Sequence, residues 1–100
     1  MEDLIMKIIA VCGLGVGSSV IAKMNIESIL AEERRDDIDV DTVDLGSVRS
    51  APADIYVTTN ELYDEFPEDL KVKTIVLTNF VDKNHIKENI DPKIDEIQKK

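Results

Sequence analysis

The sequence predicts an α/β fold: a single four-stranded parallel sheet, strand order 2-1-3-4, with helices on both faces. Three observations predict it. A nearly unbroken, Ile-rich apolar run from Leu4 to Val11 stops at a glycine-rich stretch, as a strand buried on both faces of a parallel sheet does. Two further short, mostly apolar stretches, Ala53 to Thr58 and Val72 to Leu77, read as strands downstream. Between and after these runs the apolar residues fall at helical spacing, the alternation that builds right-handed crossovers. At 100 residues the chain is one domain, residues 1–100, because domains split only at greater lengths.

The elements follow in order. Lys7 is the one charge in the first strand, which is therefore central. The stretch from Cys12 to Ser19 holds too much glycine for helix or strand and is expected to be a loop. From Ser19 to about Arg34, the spacing of Ala22, Ile26, Ile29 and Leu30 lines one face of a helix that packs on the sheet. From Ile38 to Asp44, apolar residues alternate with mostly acidic ones, the period-two pattern of a half-exposed edge strand. Asp39, Asp41 and Asp44 are its outward residues, and such charges discourage edge pairing. Gly46 to Pro52 reads as a turn or short helix. After the third strand, Asn60 is expected to cap a short helix from Glu61 to Phe66 that Pro67 ends. After the fourth, Val81, Ile86, Ile90, Ile94 and Ile97 give the tail a helical stripe. Asp91-Pro92 within it predicts a kink, or a second helix starting near Asp91.

Composition narrows the function. The formal charge of −9, from 21 acids against 12 bases, repels both a nucleic-acid backbone and an anionic lipid surface. Four aromatic residues and no Trp leave little for stacking on bases. One cysteine makes no internal disulfide, which fits a reducing cytoplasm. Acids at Glu2 and Asp3 and no apolar run approaching about 20 residues argue against a signal peptide or spanning helix. A cytoplasmic protein is expected.

The chemistry concentrates at Cys12-Gly13-Leu14-Gly15-Val16-Gly17-Ser18-Ser19. Three glycines at alternate positions let successive backbone N–H groups turn inward as a nest for an anion. The loop feeds a helix N-terminus, whose dipole and unpaired amides add positive potential. Ser18 and Ser19 are positioned to cap that helix or donate hydroxyl hydrogen bonds to the same anion. Cys12 at the rim is expected to be favoured as thiolate, hence nucleophilic. Attack on phosphorus places the product's oxygens in the nest, so the arrangement suits a phosphocysteine intermediate. In open α/β sheets the C-terminal ends of the strands, at the switch point beside strand one, are where ligands sit.

Other readings of the loop fit less well. A Walker A motif needs a Lys that is absent between Gly13 and Ser19, and a dinucleotide fingerprint needs Gly where Ser18 stands. A small Cys-dependent phosphatase has the same strand, loop and helix but places Arg at the position of Ser18. Without it, hydrolysis lacks its clamp on transition-state charge. A buried, inert thiol is the structural alternative. A regulatory module sensing phosphate or redox state through Cys12 is the alternative of a different class. The fold expected is thus Rossmann-like with a phosphatase-like phosphate-binding loop, and no metal or organic cofactor is required.

The run Lys7-Ile8-Ile9-Ala10-Val11-Cys12-Gly13-Leu14-Gly15-Val16-Gly17-Ser18-Ser19 resembles the start of IIB components of the bacterial sugar phosphotransferase system. The branch resembled groups ascorbate, galactitol, mannitol and lactose types, and the loop is most similar to ascorbate-type IIB proteins. The resemblance implies that Cys12 accepts a phosphoryl group from phosphohistidine on a IIA partner and passes it to sugar held by a membrane IIC partner. It also implies that positions Gly13 to Ser19 cradle the phosphate.

Leu14, Val16, Val20 and Met24 are expected to form an apolar docking patch for IIA, unless the C-terminal helix covers Val20 and Met24. Lys23 adds weak charge complementarity. His85 is read as a surface residue, and the acidic run Glu61, Asp64, Glu65, Glu68 and Asp69 as a solvated face whose spacing fits no metal loop.

Overall fold

A computed structural model describes residues 6–12, 17–35, 37–78 and 80–98. Strands β1 (Met6–Cys12), β2 (Ile38–Asp44), β3 (Ile55–Thr59) and β4 (Thr74–Leu77) form one parallel sheet in the order β2-β1-β3-β4. This is the order the alternation predicts. A 3-10 helix (Leu45–Ser50) and helices α1 (Gly17–Glu32), α2 (Asn60–Tyr63), α3 (Glu68–Lys71) and α4 (Lys83–Gln98) complete the fold. A Cα radius of gyration of 12.6 Å matches one packed domain of this length.

β1 is the centre because its side chains serve two cores. Ile8 and Ala10 join Ala22, Ile26, Ile29 and Leu30 of α1 and Ile86, Ile90 and Ile94 of α4 on one face. Ile9 and Val11 join Val48, Ala53, Tyr56 and Phe66 on the other. Each fully buried Ile contributes about 1.5–3 kcal/mol of transfer free energy, so the first face, with both long helices, carries most of the stability. The second face is thinner, covered by the 3-10 helix and the short helices α2 and α3. There the Tyr56 and Phe66 rings meet edge to face at 6.1 Å. The Tyr56 hydroxyl donates to the Ala51 carbonyl at 2.8 Å, which lets an aromatic residue be buried without stranding its polar end.

α1 stops at a Schellman turn. The N–H of Arg35 reaches the Leu30 carbonyl at 2.9 Å and that of Arg34 reaches Ala31 at 3.2 Å, with Arg34 itself at φ 60°, a conformation that glycine normally supplies. β2 is an edge strand as expected. Lys7 on the neighbouring strand pairs with its Asp39 at 3.2 Å and its Asp41 at 3.8 Å, and Asp44 is exposed.

Several expectations require correction. Cys12 ends β1, and Gly17, Ser18 and Ser19 lie inside α1 rather than in a loop. Helical hydrogen bonding outweighs the propensity of one Gly and two Ser at a terminus, where their cost is small. Ser18 and Ser19 therefore occupy the first turn and do not precede it. Asn60 is the first residue of α2; Thr59 is its N-cap, without a side-chain bond. Pro67 does not end that helix but precedes α3, which the sequence reading missed. Val72 stands exposed ahead of β4, and Val81 stands exposed ahead of α4, outside its buried stripe.

The tail is one helix running through Pro92, not two. An interior proline costs about 3 kcal/mol, yet Ile86 and Ile90 before it and Ile94 after it are all fully buried, so breaking the helix would forfeit more. The start of α4 is set by Asp82, whose carboxylate accepts the His85 N–H at 3.2 Å while its carbonyl accepts the Ile86 N–H at 3.0 Å. This is an N-cap.

Candidate functional site

The C-terminal edge of the sheet gathers the ends of all four strands, and Cys12 is the last residue of the central one. Its backbone is paired in register with Asp44 of β2. The Cys12 side chain and residues Gly13, Leu14, Gly15 and Val16 lie outside the described residues, and with them the expected phosphatase-like loop. α1 begins at Gly17, so four residues separate the end of β1 from a helix N-terminus. The first amides of any α-helix lack intrahelical acceptors, and Gly17, Ser18 and Ser19 supply three of them here. α1 has no acid in its first turn, leaving the positive end of its dipole unopposed by its own side chains. Such an end attracts an anion.

Next along α1, Val20, Ile21 and Met24 are 44%, 41% and 61% exposed. The alternative in which α4 covers Val20 and Met24 is thus excluded, and the reason lies in how the two helices are aligned. Asn25 bonds the Phe80 carbonyl at 2.9 Å and Lys83 reaches Ser28 at 2.8 Å, so α4 begins level with the middle of α1. It covers the later turns only. Ile21, a third apolar member of this surface, escaped the sequence reading because its neighbour Ala22 belongs to the core stripe. Leu14 and Val16, the other two residues expected there, lie outside the described residues. Lys23 is half-buried.

His85 is partly buried rather than a plain surface residue. Its Nε2 accepts the Thr78 N–H at 3.2 Å and lies 3.3 Å from the Thr78 hydroxyl. Asn89 Nδ2 donates to the His85 carbonyl at 2.8 Å and lies 3.5 Å from its Nδ1. The ring thereby ties the exit of β4 to the first turns of α4. In the acidic run, Asp69 pairs with Arg49 at 3.1 Å and Glu68 with Lys71 at 3.2 Å. Among the described residues, no three His, Cys, Asp or Glu side chains converge where a metal ion could be held. No helix among them is long and apolar enough to cross a membrane.

Among the described residues, the strongest electrostatic perturbation lies elsewhere, just past the C-terminal end of α1, about 24 Å along the helix axis from Gly17. Burial opposes charge on Glu33, but hydrogen bonds from Asp91, Lys87 and Arg35 prevail and hold its carboxyl down to about 2. Asp91 is raised, first by burial and then by the hydrogen bond and charge of Glu33. Arg35 also pairs with Asp95 at 3.1 Å. This network clamps α1 to α4 far from Cys12.

Residues 7–92 match the family described as PTS system, Lactose/Cellobiose specific IIB subunit. The chain is also 32% identical over 90 residues to a protein of Mycoplasma pneumoniae named as an ascorbate-specific PTS system EIIB component, covering 88% of this chain and 94% of that protein.

Proposed function

Because the chain belongs to the lactose/cellobiose-specific IIB family of phosphotransferase-system subunits, and so serves sugar phosphotransfer, we propose that Cys12 is the residue that carries the phosphoryl group. The observation that supports this most directly is the position of Cys12 at the end of the central strand, separated by four residues from the α1 N-terminus.

In this reading the Cys12 thiolate attacks the phosphorus of a phosphohistidine on the IIA partner. An S–P bond forms as the N–P bond breaks, and the imidazole nitrogen leaves with the bonding pair. Backbone amides from Gly13 to Ser19 take up charge on the equatorial oxygens. A sugar hydroxyl, presented by a membrane IIC partner, then attacks the same phosphorus. The S–P bond breaks and the thiolate is restored, while the hydroxyl proton passes to a base at the acceptor. No cofactor enters either step. The relative's name and the Cys-Gly-x-Gly-x-Gly-Ser-Ser loop support ascorbate as the sugar, and the work is cytoplasmic. The exposed Val20, Ile21 and Met24, with Leu14 and Val16, form the docking patch for IIA.

Incubation with phosphorylated IIA, followed by intact-mass measurement and peptide mapping, tests the proposal. One phosphoryl group is expected on Cys12, none on Cys12→Ser. Labelling that persists in the mutant or maps to His85 overturns it.

A further inference from the structure

We propose that Thr58 is a positioning residue for Cys12, acting through the peptide bond that joins Val11 to it. The inference rests on the reading of Cys12 as the phosphoryl carrier.

Thr58 lies on β3 and is fully buried, the one polar residue in the buried set among the described residues. Its hydroxyl contacts the Val11 carbonyl oxygen at 3.4 Å. The register shows why that carbonyl depends on a side chain. β1 stays paired with β2 as far as Cys12 opposite Asp44. On its other side, pairing with β3 stops at Ala10 opposite Val57, although β3 itself continues to Thr59, paired with β4. Beyond Ala10, then, β1 is held by the backbone on one side, and on the β3 side the Thr58 hydroxyl extends the pairing by one residue.

That residue is the one whose carbonyl shares a peptide plane with the Cys12 N–H. Because the unit is planar and trans, an anchor on the Val11 oxygen also fixes the direction of that N–H and the axis about which Cys12 turns. The contact is long for an O–H···O bond. It therefore adds little to stability; what it adds is direction at the point where the strand gives way to the segment that must present a nucleophile to phosphorus. In-line displacement is sensitive to such direction, since small misplacements of a reacting group cost large factors in rate.

The test compares wild type, Thr58→Val, Thr58→Ser and Thr58→Ala in single-turnover phosphorylation by phosphorylated IIA, alongside the pH profile of Cys12 alkylation by iodoacetamide and denaturation midpoints. Thr58→Val conserves shape and removes the hydroxyl. It is expected to lower the transfer rate at least about tenfold and to shift the alkylation profile, with a midpoint close to wild type. Thr58→Ser is expected to retain a rate within about threefold of wild type. Should Thr58→Val fail to fold, Ser and Ala at this position differ by the hydroxyl alone, and Ala must be the slower. Equal rates in Ser and Ala, or a Thr58→Val protein that transfers and alkylates like wild type, overturn the inference. A wild type that gains no phosphoryl group on Cys12 refutes instead the reading on which it rests.

Discussion

Asn25, two turns into α1, donates its side-chain amide to the main-chain carbonyl of Phe80 at 2.9 Å, across 55 residues of sequence. This bond sets the level at which the chain leaves β4 and enters α4. It thereby decides how much of α1 the second long helix covers. Asn25→Ala leaves a part-buried carbonyl without that donor and is expected to lower unfolding stability by about 1 kcal/mol. Urea denaturation measures this, and an unchanged midpoint would show that the turn is held by packing of Phe80 alone.

The uncovered part of α1 gives a second prediction. Met24 is 61% exposed, so Met24→Gln, similar in size and helix propensity, should change stability by no more than about 0.5 kcal/mol. If the patch docks IIA, the variant needs several-fold more phosphorylated IIA for half-maximal transfer, with the maximal rate preserved. A titration with the same half-saturation as wild type removes Met24 from the docking surface.

At the far end of α1, the neighbouring carboxyls of Glu33 and Asp91 have opposite pH signatures. Glu33, lowered from 4.5 to about 2, contributes stability that is present above 4.5 and fades as pH falls toward 2. Asp91 is raised from 3.8, so its charged form is disfavoured in the folded protein. That cost is absent at low pH and grows as pH rises through the folded value. Asp91→Asn keeps a donor for Glu33 without the charge. It is expected to stabilise the protein by about 1 kcal/mol at neutral pH and to lose this advantage below 3.8, where Asp91 is itself protonated. Denaturation at the two pH values compares them; an advantage independent of pH contradicts the assignment.

Arg34 closes α1 with φ at 60°, where a Cβ costs about 1 kcal/mol or more. The stability order expected is Gly above Arg above Val at this position, with Arg34→Gly gaining up to about 1 kcal/mol. Thermal unfolding of the three proteins checks the order, and a glycine variant less stable than wild type contradicts it.

Much of the fold was legible in the sequence for one physical reason: side-chain burial imposes a period. The two-face burial of β1, the acidic alternation of β2 and the spacing of Ala22, Ile26 and Ile29 each name an element and the face it hides. Where no period operates, legibility fell. α3 has four residues and no buried one, so it leaves no pattern. Val81 continues the apolar spacing of α4 but stands before Asp82, whose cap decides the start.

The residues from Lys7 to Ser19 by themselves pointed to the family and to Cys12 as the candidate phosphoryl carrier, because a lone thiol between an apolar strand and alternating glycines is written in consecutive positions. The tertiary structure decided what consecutive positions cannot carry. It set α4 against the later turns of α1, leaving Val20, Ile21 and Met24 bare. It also put the Thr58 hydroxyl of β3 against the carbonyl that precedes Cys12. Both depend on register between elements distant in sequence, which packing fixes and local pattern does not.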